Sequence, residues 1–171
     1  EGIDHLLFLF CLVIPLRRMR GLIPVVTSFT VAHSITLIGS AFGLSPGTLW
    51  FPPLIETLIA LSIVYMAFEN IVGARLSHRW MVTFGFGLIH GFGFAFLFRD
   101  TLQFAGGHLF SSLLAFNVGV ELGQLMILLL VIPVLNLLFR FVVAERVGTI
   151  LLSALIAHSA GQAAARLQSF R

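Results

Sequence analysis

The sequence predicts an all-α fold, a polytopic transmembrane helical bundle of about six spans that forms a single domain over residues 1–171. Three observations carry that prediction. The chain is 58% hydrophobic with a mean hydropathy of +1.05, only 10% of its residues are charged, and its apolar stretches are separated by Arg, Pro and Gly. A soluble domain averages about 45–50% apolar and about 25% charged residues. At roughly 20 apolar residues per crossing, the length accommodates about six helices with short loops and no second domain.

The spans fall at about 1–16, 22–43, 54–73, 81–98, 110–139 and 147–165. The first apolar run, Ile3 to Leu16, is short for a hydrocarbon core of about 30 Å. Because the numbering opens on Glu1 rather than methionine, the chain is expected to be truncated at its N-terminus, together with any signal peptide. Arg17, Arg18 and Arg20 separate the first two spans. Span two closes on the segment Leu44 to Pro53, whose prolines, Gly47 and Trp50 read as an external turn with an interfacial aromatic anchor. Arg75 and Arg79 separate spans three and four, and Arg140 and Arg146 separate five and six. Span five is long enough to tilt or protrude.

All ten basic residues are arginine. The alternate loops carry only Arg99, beside Asp100, so the positive-inside rule puts the N-terminus outside, although Arg166 and Arg171 at the far end oppose it. Such scattered arginines, despite a pI near 10.5, indicate topology rather than a phosphate-binding patch. The expected partner is the lipid bilayer and not nucleic acid. A homo-oligomer is compatible with the sequence. Cys11 is the single cysteine, which excludes a disulfide framework or a CxxC metal site within this chain. AHS in span two and IHG in span four are the best hint of an internal repeat, and they are weak.

Polar groups inside apolar spans hold the functional information. Span one opens with Asp4 and His5; span two carries Thr30, His33 and Ser34 on one helical stripe, bordered by Thr36. Span three has Glu56 near one end and Glu69 with Asn70 near the other. His90 sits within GLIHGFGF in span four, Asn117, Glu121 and Gln124 form a stripe in span five, and His158 adjoins Ser159 in span six. A charge at the bilayer centre costs roughly 2.5–3.5 kcal/mol on insertion scales, so ionisable groups there face a polar interior and are functional by default. Imidazole and carboxylate together suit Ni²⁺, Co²⁺, Zn²⁺ or Cu²⁺, whereas Mg²⁺ or Ca²⁺ would be held by oxygen alone. Asp4, His5, His33, Glu56, His90 and Glu121 are therefore the candidate metal ligands, supported by Asn117, Gln124, Ser34 and His158.

Simpler roles account for other positions. Thr30, Ser34, Thr36 and Asn117 are expected to hydrogen-bond between helices, and the glycines at 85, 87, 91 and 93 to permit close packing. Glu69 is expected to pair with Arg75 or to reach the inner surface. His78, Asp100 and His108 need no function, and His158 divides evenly between satisfied core histidine and ligand.

The motifs EGIDHLLFLF, FTVAHSITL, IETLIALSIVYMAFEN, LIHGFGFAF and FNVGVELGQL together resemble the HupE/UreJ family, in the family's order and over about two thirds of the chain. The resemblance implies nickel or related metal permeation, with Asp4 and His5 matching the first-helix DH and His33 the second-helix histidine. It matches Glu56 to the third-helix acid, His90 to the HG motif, and Asn117, Glu121 and Gln124 to FNxGVELGQ. The family's first motif begins with a histidine upstream of the Asp, a position that lies before Glu1.

These readings favour a permease of the bacterial inner membrane, not an enzyme, with the divalent metal as cargo. Without a P-loop, facilitated diffusion or proton exchange fits better than ATP-driven transport. A zinc-dependent intramembrane hydrolase built from His33, His90 and His158 is the first alternative, although HExxH is absent and His33 and Ser34 point about 100° apart on a helix. A non-transporting metal-binding assembly protein is the second.

Overall fold

The computed structural model describes residues 2–16, 19–73, 76–102 and 109–169, and among these every regular element is a helix. The elements are α1 (Gly2–Val13), α2 (Met19–Ala41), α3 (Phe51–Val72), a 3-10 turn at Leu76–His78, α4 (Arg79–Leu102), α5 (Leu109–Phe141) and α6 (Glu145–Ser169). The six α-helices correspond one for one to the expected spans. Three stretches are each long and apolar enough to cross a membrane, namely Arg20–Ala41, Phe51–Val72 and Ser111–Phe141, while Ile3–Val13 is apolar but shorter. Helices α4 and α6 are 24 and 25 residues long.

Local chemistry sets the boundaries. Helix α2 ends where Gly43 adopts φ +83°, with Gly43 N–H donating to Ser40 O and Leu44 N–H to Gly39 O. That pair of bonds is a Schellman stop, which favours the residue without a Cβ. Helix α3 starts with Pro52 and Pro53 in its first turn, where their missing N–H groups cost nothing. It ends at Gly73, and Arg146 in the first turn of α6 donates to the Ile71 carbonyl at 2.7 Å. Helix α5 is 33 residues long with Pro133 inside it.

Apolar side chains face outward and polar ones inward. Leu114, Val118, Leu122, Leu129 and Leu137 of α5 are at least half exposed, while Thr30, His33, Asn70, Thr83, His90 and Asn117 are buried. In water that distribution would leave a large apolar patch, and in lipid it is the ordinary one. The short helix α1 lies in the core, with Phe8, Cys11 and Leu12 buried.

Helices α2 and α4 make the closest approach. A Cβ on Gly87 would lie 2.5 Å from the Phe29 carbonyl oxygen, and one on Gly91 would overlap Thr36 Oγ1 and the His33 carbonyl oxygen. These two glycines are packing residues, as the small-residue rule predicts. Of the expected interhelical hydrogen bonds, Thr30 reaches Gln124 Oε1 at 3.2 Å and Ser34 reaches Asn117 Oδ1 at 2.8 Å, tying α2 to α5. Thr36 instead bonds back to Ala32 and His33 within α2, because Gly91 occupies the space beside it. Ser34→Ala should lower stability by about 0.5–1.5 kcal/mol, seen as a lower denaturation midpoint; an unchanged midpoint would mean that the α2–α5 bond contributes nothing.

Arg79 departs furthest from its expected role. Rather than a charge in a cytoplasmic loop, it begins α4 and is 0% exposed. Its Nη2 donates to Cys11 O at 2.8 Å and to Asn70 Oδ1 at 2.9 Å, and Asn70 Nδ2 also donates to Cys11 O. Glu69 pairs with Arg79 at 3.6 Å. Arg75, with Arg17, Arg18, His108 and Arg171, lies outside the described residues, as do the side chains of Arg99, Asp100 and Arg166.

Candidate metal site

His5 near the start of α1, His33 within α2 and His90 within α4 come together. The His5 ring centroid is 5.4 Å from that of His33 and 4.9 Å from that of His90, in edge-to-face geometry. His33 and His90 are 0% exposed and His5 is half-buried. Phe94 packs on His5 at 4.5 Å and on His33 at 5.3 Å, and Phe8 and Phe29 pack on His90 at 4.9 and 5.3 Å. The cluster depends on the α2–α4 contact, since Gly91 adjoins His90 and rests on the carbonyl of His33.

His90 has a defined tautomer. Its Nδ1 lies 2.8 Å from Phe86 O, and a carbonyl can only accept, so Nδ1 carries the hydrogen and Nε2 presents a lone pair. Histidines that bind metal commonly anchor their other ring nitrogen in this way. Nε2 of His90 and both ring nitrogens of His33 are buried with no hydrogen-bond partner. Burying a polar group unsatisfied costs about 1–3 kcal/mol, so packing alone gives no reason for placing imidazoles here.

Among the described residues no three or more His, Cys, Asp or Glu side chains already converge as metal ligands. The ring spacing nevertheless suits one ion. With metal–nitrogen bonds of about 2.1 Å in tetrahedral geometry, two imidazole centroids lie about 5 Å apart. What differs is ring orientation, which turns about χ2, a torsion with broad wells.

The carboxylates are less concentrated. Asp4 is half-buried beside His5 on α1, and Glu56 is half-buried in the second turn of α3. Glu121 is half-buried on α5 between Asn117 and Gln124, the two residues hydrogen-bonded to α2, so the stripe that carries it faces the helix bearing His33. His158 lies elsewhere: it is exposed on α6 and 2.9 Å from Gln162 Nε2, one turn along, and is neither a core histidine nor part of the cluster. Two features escaped the sequence reading. The aromatic wall of Phe8, Phe29 and Phe94 had a partial signal in the GFGF run of span four, and the Arg79 node had none, since an arginine near a span end reads as topology.

No curated protein and no solved structure matches this chain. The family model described as HupE / UreJ protein matches residues 1–165, nearly the whole chain. With its apolar helices, the chain is an integral membrane protein that belongs to the HupE/UreJ family.

Proposed function

We propose that this protein is a permease for a divalent transition-metal cation, with nickel first among Ni²⁺, Co²⁺, Cu²⁺ and Zn²⁺, and that it is not an enzyme. It resides in the bacterial inner membrane with its N-terminus outside. One observation carries the reading: His5 lies at ligand-like spacing from His33 and from His90, on three different helices, with His90 Nε2 and His33 carrying no hydrogen bond among the described residues. Asp4, beside His5 at the start of α1, attracts and partly dehydrates the cation, with Glu56 on the same route. His5, His33 and His90 take it over in the core, and Glu121 offsets its charge. A permeation site must bind well enough to admit the ion and weakly enough to release it. Imidazoles that must turn to converge meet that requirement.

The experiment is uptake of the four metals into proteoliposomes, with native protein beside His33→Ala, His90→Ala and Glu121→Gln. Loss of uptake in all three variants, with folding intact, is expected; native protein that moves none of the metals would refute the permease. Binding should also respond to pH. A proton competes with the metal for each imidazole, so affinity present near pH 7 should fall as the medium is acidified. Affinity that stays constant over the whole pH range in which the protein remains folded would rule out imidazole ligation.

A further inference from the structure

Beyond the histidines lies a second cluster. Along α1, Cys11 is about 9 Å past His5, and along α4, Arg79 is about 16 Å past His90 in the same spatial direction. The space between is filled by Phe8, which stacks on Phe29 at 5.1 Å, meets Phe86 edge-on at 5.9 Å and touches the His90 ring. Behind this aromatic layer the Arg79 guanidinium sits among three kinds of oxygen: the Cys11 carbonyl, the Asn70 amide and the Glu69 carboxylate. Carbonyl, amide and carboxylate oxygens are also ligands for a hydrated or partly dehydrated metal cation.

We propose that Arg79 is a tethered cation that closes the route, its guanidinium filling the oxygen cage that a cargo ion leaving the histidine cluster would otherwise enter. The inference rests on the permease reading and adds to it a barrier residue. Two observations separate a barrier from a fixed staple. Nε and Nη1 of Arg79 and Oε2 of Glu69 have no hydrogen-bond partner, and at 3.6 Å the ion pair is too long for a hydrogen bond. A structural buried arginine is normally satisfied by its surroundings. An arginine hydrogen-bonded through one nitrogen, with only a 3.6 Å ion pair at a second, can leave more readily than one bonded through all three, and a positive charge in a site of low dielectric repels a dication while it stays.

Cys11 reports on the barrier without any engineering, because it is the only cysteine, is buried, and lends its carbonyl to the cage. In native proteoliposomes without metal, a small water-soluble methanethiosulfonate reagent should label Cys11 at least about a hundredfold more slowly than an exposed thiol. Glu69→Gln combined with Arg79→Gln removes both charges together, so no lone buried charge remains to unfold the protein. Labelling of that double variant should rise about tenfold over native, whereas Arg79→Lys, which keeps the charge, should stay near the native rate. Asn70→Ser, a milder loosening of the cage, should give about a threefold rise and serves if the double variant fails to fold. The barrier is overturned if native Cys11 reacts like an exposed thiol. It is overturned equally if the folded Glu69→Gln/Arg79→Gln protein or the folded Asn70→Ser protein, still binding Ni²⁺, shows the native labelling rate. Uptake measured in parallel keeps the two ideas apart, since labelling that follows Arg79 in a protein moving no metal leaves the barrier standing and removes the permease.

Discussion

His90→Ala should reduce Ni²⁺ affinity more than about 100-fold and abolish uptake while the helices remain assembled. The expectation follows from the fixed tautomer: Phe86 O holds the Nδ1 hydrogen, and Nε2 is the one lone pair on that ring available to a cation. Removing an outer-shell partner of a metal-binding histidine typically costs 10–100-fold in affinity, so losing the ligand itself should cost more. Stability should change little by comparison. The lost ring leaves a small cavity, which is unfavourable, but an unsatisfied buried nitrogen goes with it, and the net cost should be about 1–2 kcal/mol. His33→Ala removes two unbonded nitrogens from the same cluster and should behave alike. Titration calorimetry in detergent, with circular dichroism as the control for folding, reads both quantities. Native affinity in either variant would show that the histidines form a packing cluster and no more.

Gly91→Ala should damage both packing and metal binding. The added methyl would collide with Thr36 Oγ1 and with the His33 carbonyl oxygen, and the second is backbone that cannot swing aside. Helices α2 and α4 must separate, at a cost of about 1–3 kcal/mol for overpacking, and the separation moves His33 away from His90. Stability and metal binding should therefore fall together. Gly85→Ala is the internal control: on the same helix, nothing lies within 4 Å of the position its Cβ would take. It should keep the native unfolding midpoint and native affinity. Equal effects at positions 85 and 91 would mean that helix flexibility, rather than contact, explains the glycines.

Hydropathy and punctuation made the helices legible. Polar groups in apolar surroundings pointed to Asp4, His5, His33, Glu56, His90 and Glu121, because the membrane penalises such groups so heavily that each needs a reason to be there; of these, the fold places His5 beside His33 and His90. The node of Arg79, Asn70 and Cys11 was illegible for the converse reason. A charge two residues inside or outside a span looks identical in one dimension, and only the packing of α1 against α3 and α4 decides that Arg79 turns inward. Thr36 and His158 show the same limit on a smaller scale. The hydroxyl of Thr36 reaches its own helix because Gly91 presses against it, and His158 takes a partner one turn along α6 on an exposed face. Composition carries no information about either neighbour.

Helix α5, at 33 residues, is about 50 Å long, while the hydrocarbon region it crosses is about 30 Å thick. It is long enough to cross at a lean or to project beyond the hydrocarbon, and any lean varies with acyl-chain length. Because Asn117 and Gln124 fasten this helix to Ser34 and Thr30, which flank His33, a thinner or thicker lipid sheet pulls directly on the bonds beside the imidazoles. The choice of phospholipid is thus a mechanical input to the metal cluster, and short-chain and long-chain vesicles should yield different affinities from one and the same polypeptide.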